Sequence, residues 1–447
     1  MTDSAFFGTE RISRILLKLA PPVMLAQLIQ ALYNIVDSFF VGRYSGDGLT
    51  ALSIIYPLQL LMIALAVGTG VGINTAMAYF LGIQDKKKAD EVAGTSAPLA
   101  LGMWALFAAI TYAVMPAYAR MSTQSEEVIR QVVIYGRIVC VCSIGLFLES
   151  GWTKILQAEG NMNRPMVAQI IGAITNIVLD PLLIFGWLGL PALGIAGAAI
   201  ATVAGQIVAA VIVCKGGFRP SPARQKYPAL VRRIYGLGMP NILMQSTYTF
   251  YILGLNLILS TFSDQAVTAL GLYYKWQTIF FIPLGAMQTC VVPVISYNYA
   301  AGNLPRCQKT LAESVLCGIA LMSLGTLCFE IVPSQMLHVF SQDPEVISIG
   351  VYAFRWIGPS FLPMVSAQMF PVFFQATGYA LKSSFLTILR TVILFVPLGW
   401  LLAHWGLHAF WMTFPITETL TTLGGLVCYR QFLRQKAERS HISAWTE

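Results

Sequence analysis

Charge is what this chain has least of. Only 11% of its 447 residues are Asp, Glu, Lys or Arg, against 56% hydrophobic residues, whereas a soluble domain carries about 25% charged residues. That excludes a soluble globular protein and leaves a polytopic membrane protein. No Walker motif is present, so ATP hydrolysis is not the energy source. Gly68, Gly70 and Gly72 form G-x-G-x-G, but they follow no strand pattern and make no nucleotide fingerprint; they mark close helix packing or a hinge. The eight cysteines contain no C-x-x-C. Cys140 and Cys142 are spaced C-x-C, with no His or acid at metal-ligand spacing, so the thiols read as small hydrophobes and no cofactor or metal centre is expected. The N-terminal stretch Met1–Arg14 is polar and lacks a small-residue cleavage site, so the first apolar segment is expected to be retained.

What is there is long apolar sequence. A spanning helix needs about 20 apolar residues, and twelve stretches qualify: 15–41, 50–80, 92–118, 130–157, 165–188, 192–214, 234–261, 267–299, 310–332, 346–375, 384–403 and 408–429. Several exceed a minimal span, so tilt or bending is expected, with prolines such as Pro21, Pro22, Pro57, Pro181, Pro283, Pro293, Pro371 and Pro415 as bend points. The formal charge of +8 is no nucleic-acid signature, because the basic residues cluster between apolar segments. Lys86–Lys88, Arg164, the stretch Lys215–Arg233, Lys382 and the run Arg430–Arg439 fall on one side. Glu126, Glu127, Asp264, Asp343 and Glu345 fall on the other. The positive-inside rule then places both termini in the cytoplasm of a multi-pass plasma-membrane protein.

The longest polar connection, 215–233, divides the chain into an N-terminal six-helix bundle (1–214) and a C-terminal six-helix bundle with a short cytoplasmic tail (234–447). The halves match at one constant offset in numbering: Thr50-Ala51-Leu52 with Thr268-Ala269-Leu270, Tyr56 with Tyr274, Tyr79 with Tyr297, Arg137 with Arg355, and Gln157-Ala158 with Gln375-Ala376. An even number of helices per repeat makes the two parallel in topology. Paired bundles of this kind are a transporter architecture, with the substrate path between the halves.

Two acids lie deep in apolar helical sequence, Asp37 and Asp180, each with an amide one turn earlier, Asn34 and Asn176. A carboxylate at the bilayer centre costs about 2.5–3.5 kcal/mol on insertion scales, so such residues mark ion or proton sites. Counting about 1.5 Å per residue places Asp37, Asp180 and Thr202 in the outer half of the N-terminal bundle, with Asn176 on the Asp180 face. Two carboxylates, an amide oxygen and a hydroxyl form a hard-oxygen set suited to Na⁺ or to proton sharing. The C-terminal half lacks it: Asp37 becomes Asn256 after a one-residue gap, and Asp180 becomes Leu398. Glu418 is the deep acid there and Lys275 the deep lysine; the two pair, or Glu418 faces the path. Glu149 faces the path or pairs locally with Lys154. Arg137 and Arg355 suit structural pairing or interfacial snorkelling. Tyr33, Tyr56, Tyr248, Tyr273, Tyr274, Phe147 and Met287 can line an amphipathic cavity that holds cations by stacking.

The segments "ALYNIVDSFFVG" (Ala31–Gly42), "QAEGNMNRPM" (Gln157–Met166), "NIVLDPLLIFG" (Asn176–Gly186), "GIAGAAIATVAGQ" (Gly194–Gln206) and "SYNYAAGN" (Ser296–Asn303) together resemble the multidrug and toxic compound extrusion (MATE) family across essentially the whole chain, nearest to its MepA-like branch. The resemblance implies the MATE/MOP-type fold of two six-helix bundles. It also implies a secondary active antiporter that exports amphipathic, mostly cationic compounds in exchange for Na⁺ or H⁺ by alternating access. The family's cation site falls on Asp37, Asn176, Asp180 and Thr202, with the backbone carbonyl of Ala198 one turn before Thr202, and the helix 1 bend falls on Pro22. Some members carry an acid in helix 7; here 239–259 holds no acid, with Gln245 and Asn256 among its polar amides. Expected partners are small-molecule drugs and the lipid bilayer, with the chain acting as a monomer. An alternative is a lipid-linked saccharide flippase of the same superfold, which would want more cationic residues to hold a pyrophosphate. A major-facilitator carrier would want a G-x-x-x-D-R-x-G-R-like run where "GIQDKKKAD" stands. An intramembrane enzyme such as a prenyl transferase would want clustered acids on a cytoplasmic loop, so no enzymatic activity is expected.

Overall fold

The computed structural model describes residues 5–444, and among them secondary structure is entirely helical. Every apolar stretch expected to span is helical. The twelve are α1 (Ile12–Tyr44), α2 (Gly46–Gly82), α3 (Lys86–Ser122), α4 (Glu126–Ala158), α5 (Asn163–Ile184), α6 (Ile195–Gly217), α7 (Tyr227–Leu259), α8 (Asp264–Phe280 continued by Ile282–Ala300), α9 (Leu304–Ile331), α10 (Pro344–Ala376), α11 (Ala380–Ala403) and α12 (Thr413–Ala444). Ten of them are long and apolar enough to cross a membrane, the bent pair of α8 makes an eleventh, and α12 adds the apolar stretch 413–429 ahead of its basic end. The chain is an all-α multi-pass membrane protein.

The breaks have local causes. α8 bends by 49° between Phe280 and Ile282, just before Pro283, which lacks the N–H its turn needs and crowds the carbonyl four residues earlier. α1 runs unbroken through Pro21 and Pro22. In α11 the segment Leu389–Phe395 widens into a π-helix that ends two residues before Pro397, a deformation that often accompanies function.

The described chain divides into two compact units. One comprises 1–246 with 292–307, the other 247–291 with 308–447. The polar connection 215–233 therefore lies inside the first unit. It is tied there by ion pairs of Arg219 with Glu159 (2.6 Å) and Asp90 (3.4 Å), and of Lys226 with Glu91. The Gly82 end of α2, just before Lys86–Lys88, is also held in this unit. A Cβ on Gly72 would stand 2.2 Å from the Ile234 carbonyl oxygen, so the G-x-G-x-G run is where α2 and α7 cross at backbone contact. Ser296 donates to the Thr75 carbonyl (2.8 Å) and Gln84 to the Tyr297 hydroxyl (3.1 Å). Arg306 and Asn298 both donate to the Phe7 carbonyl, and Arg306 also to that of Glu10.

Candidate functional site

In the first unit α5 packs against both α1 and α6. The α5–α6 crossing is set by glycine: a Cβ on Gly205 would lie 2.6 Å from the Gly172 carbonyl oxygen. One turn further along α5, Asn176 is therefore close enough to α6 for its Nδ2 to reach Thr202 Oγ1 at 3.3 Å, while the same group points at Asp180 Oδ1, 3.5 Å away. Asp180 and Ala198 are fully buried, Asn176 is 2% exposed and Asp37 8%. Asn34, by contrast, is exposed.

The polar accounting here is incomplete. Asp37 Oδ1, Asp180 Oδ2 and Asn176 Oδ1 are all buried with no hydrogen-bond partner, and no basic side chain forms an ion pair with either aspartate among the described residues. Buried acceptors left like this are costly. Three acceptor oxygens without a hydrogen-bond partner suit a bound cation or added protons.

Two tyrosines join this group electrostatically. Tyr33 on α1 lies near Asp37, Glu149 and Asp180. Tyr135 on α4 lies near Asp37 and Thr202, and its hydroxyl accepts a hydrogen bond from Gln59 (3.4 Å). Sequence reading passed over Tyr135, because a tyrosine in apolar sequence looks like any core aromatic; only the α4 packing reveals its place.

The other expected residues are spread over both units. Glu149 is half-buried and accepts from Thr153 Oγ1 at 2.7 Å; Lys154 lies within electrostatic reach of it and donates to Gln157 at 2.9 Å. Phe147 sits in an apolar core cluster beside Phe107. In the second unit Met287 is buried and Tyr274 half-buried, with its hydroxyl unpartnered. Pairing of Lys275 with Glu418 does not occur. Lys275 is exposed, with its ammonium 4.9 Å from the Phe340 ring, and Glu418 is fully buried against Arg390. Arg390 was the residue overlooked: a lone base in an apolar run, on a different helix from its partner. Arg137 lies over the Tyr112 ring at 4.3 Å, whereas Arg355 opens onto a 340 Å³ pocket with Tyr352, Trp356, Pro359 and Pro415.

The family model described as MatE matches this sequence twice, over residues 22–182 and 240–401. The chain belongs to the MatE family. The starts of the two matches differ by the same offset as the internal repeat, and the family is one of membrane transporters rather than enzymes. Among similar proteins, the "FAD transporter" of Shewanella oneidensis is 23% identical over 94% of each chain, and the "Multidrug export protein MepA" of Staphylococcus aureus is likewise 23% identical over 94% of each. The fold agrees with solved structures. An outward-facing multidrug resistance MATE family transporter of the MOP superfamily gives a TM-score of 0.90 at 22% identity, over 98% of this chain and 99% of that one. A MOP superfamily transporter from Pyrococcus furiosus, titled as having a binding pocket of reverse polarity, gives 0.90 at 23%, over 97% and 98%. The twelve-helix MATE/MOP-type fold expected from the sequence is thus the fold of this member of the family.

Proposed function

We propose that this MatE-family chain is a secondary active multidrug antiporter that exports amphipathic, mostly cationic compounds in exchange for Na⁺ or H⁺. Cation entry at Asp37 and Asp180 favours one conformation and drug binding the other, and the chain alternates between them. The observation that carries this reading is the pair of buried aspartates with unpartnered oxygens and no basic partner. Asn176, Thr202 and the Ala198 carbonyl would complete the shell, Pro22 would be the bend point of α1, and Tyr33, Glu149 and Tyr274 would meet the cargo. The protein acts as a monomer in the plasma membrane, with its termini in the cytoplasm.

A flippase for a pyrophosphate-linked lipid, or a carrier of an anionic dinucleotide like the FAD of one relative's name, needs free cations to meet its cargo. The buried arginine of the second unit is already committed to Glu418, which disfavours both. The test is efflux of a cationic dye such as ethidium from cells expressing wild-type, Asp37→Asn or Asp180→Asn protein at matched membrane levels. Either substitution should abolish efflux; near wild-type efflux in a well-expressed variant would remove the basis of the reading.

A further inference from the structure

The second unit contains a buried charge cluster that the function above does not use. Arg390 and Glu418 form a bidentate pair: Arg390 Nε lies 2.9 Å from Glu418 Oε2 and 3.1 Å from Oε1, and Nη2 lies 2.6 Å from Oε1. Glu418 is fully buried and Arg390 9% exposed. The guanidinium also faces the Phe395 ring at 5.2 Å, and that ring stacks on Tyr251 at 4.8 Å. Arg390 is the second residue of the π-helix Leu389–Phe395. Tyr273 also lies within electrostatic reach of the pair, and Tyr274 within reach of Arg390. The Tyr274 hydroxyl and Thr417 Oγ1 are buried without partners.

The internal repeat gives this cluster its meaning. Arg390 lies on α11 and Glu418 on α12, the repeat equivalents of α5 and α6, which carry Asp180 and Thr202. Tyr251 on α7 and Tyr33 on α1 are repeat equivalents at the same offset that relates Tyr274 to Tyr56. Tyr33 sits beside Asp37, Glu149 and Asp180, and Tyr251 beside Arg390 and Glu418. The same three helices of each repeat thus surround a buried carboxylate next to an equivalent tyrosine. In the first unit no side chain supplies the positive charge; in the second a tethered one does.

We infer that Glu418 forms a second cation site, built on the repeat-equivalent helices and permanently filled by the guanidinium of Arg390. The second unit is thereby withdrawn from coupling, and only the first takes up a mobile cation. A buried carboxylate deprived of its partner is an uncompensated charge in a low-dielectric interior. It then takes a proton or a small hard cation.

This assignment rests on reading Asp37 and Asp180 as the mobile-cation site, so its test is made where that site is disabled. In full-length purified D37N/D180N protein, equilibrium binding of radioactive Na⁺ and potentiometric proton uptake are measured with and without Arg390→Ala. Removing Arg390 should add one equivalent of bound Na⁺ or one of bound proton per chain. Arg390→Lys should add neither, because a tethered ammonium still fills the site, and adding Glu418→Gln to Arg390→Ala should remove the gain. Arg390→Gln, which keeps an amide donor for Glu418, replaces the alanine variant if that does not yield a monodisperse chain. Independently, Glu418→Gln in the otherwise wild-type protein should leave the number of bound cations unchanged. A folded Arg390→Ala or Arg390→Gln variant that gains neither ion, or a Glu418→Gln protein that loses a bound cation, overturns the proposal. Absence of binding in the wild type, with a gain on removal of Arg390, would instead contradict the role given to Asp37 and Asp180 and leave Glu418 as assigned.

Discussion

Thr202 and Tyr135 each bring one hydroxyl to the Asp37–Asp180 neighbourhood, and each can lose it with little change in shape. Thr202→Val removes the oxygen that meets Asn176 at 3.3 Å while leaving both carboxylates. One lost ligand or hydrogen bond is worth about 1 kcal/mol, so the cation concentration for half-maximal transport should rise about fivefold with the maximal rate nearly kept. Tyr135→Phe should give a shift of similar size, because the hydroxyl near Asp37 is also the acceptor for Gln59. Titrating the driving ion in a transport assay measures both. An unchanged half-maximal concentration in Thr202→Val would place Thr202 outside the shell. These hydroxyls differ in legibility. Thr202 could be found from its depth in α6 and from the family resemblance, but Tyr135 could not, since nothing in a sequence says which face of α4 turns toward Asp37.

At the scale of elements, the contact between α2 and α7 depends on having no side chain at Gly72. A Cβ there would stand 2.2 Å from the Ile234 carbonyl oxygen and 3.1 Å from the Gly238 nitrogen, and backbone atoms yield little. Gly72→Val should therefore force α2 and α7 apart and destabilise the packing by a few kcal/mol, in the range of overpacking effects. A thermal unfolding scan of the protein in detergent should show a clear drop in midpoint. Gly102→Val is the control, because a Cβ there meets nothing within 4 Å, and it should leave the midpoint close to wild type. Equal midpoints for the two variants would mean that the crossing is not tight. Close packing was one of two readings available for the glycine run; the choice between packing and a hinge required the partner helix, which lies five helices further along the chain.

At the scale of the whole molecule, apolar length and loop charge were enough to find all twelve helices, because a bilayer imposes both. The breaks were less visible. The α8 bend falls where Pro283 suggests it, yet Pro21 and Pro22 leave α1 continuous, since a proline's effect depends on what repacks around it. The compact units also differ from the halves of the repeat: the starts of α7 and α9 and the end of α8 group with residues 1–246, a tertiary outcome that no loop composition records. Of the candidate site, the acids could be located by their cost in lipid, whereas the Arg390–Glu418 pair could not, because periodicity does not reveal which faces of two separate helices meet.

Coupling at Asp37 and Asp180 is tested most directly in everted membrane vesicles, where export appears as dye accumulation in the lumen and Na⁺ and pH gradients can be imposed separately. Wild-type protein should accumulate dye when the lumen is richer in the coupling cation, Na⁺ or H⁺, and lose that accumulation when the gradient is collapsed. Asp180→Asn should show none under either gradient. Accumulation that ignores both gradients, or that persists at the wild-type level in Asp180→Asn, would contradict a cation site on these aspartates.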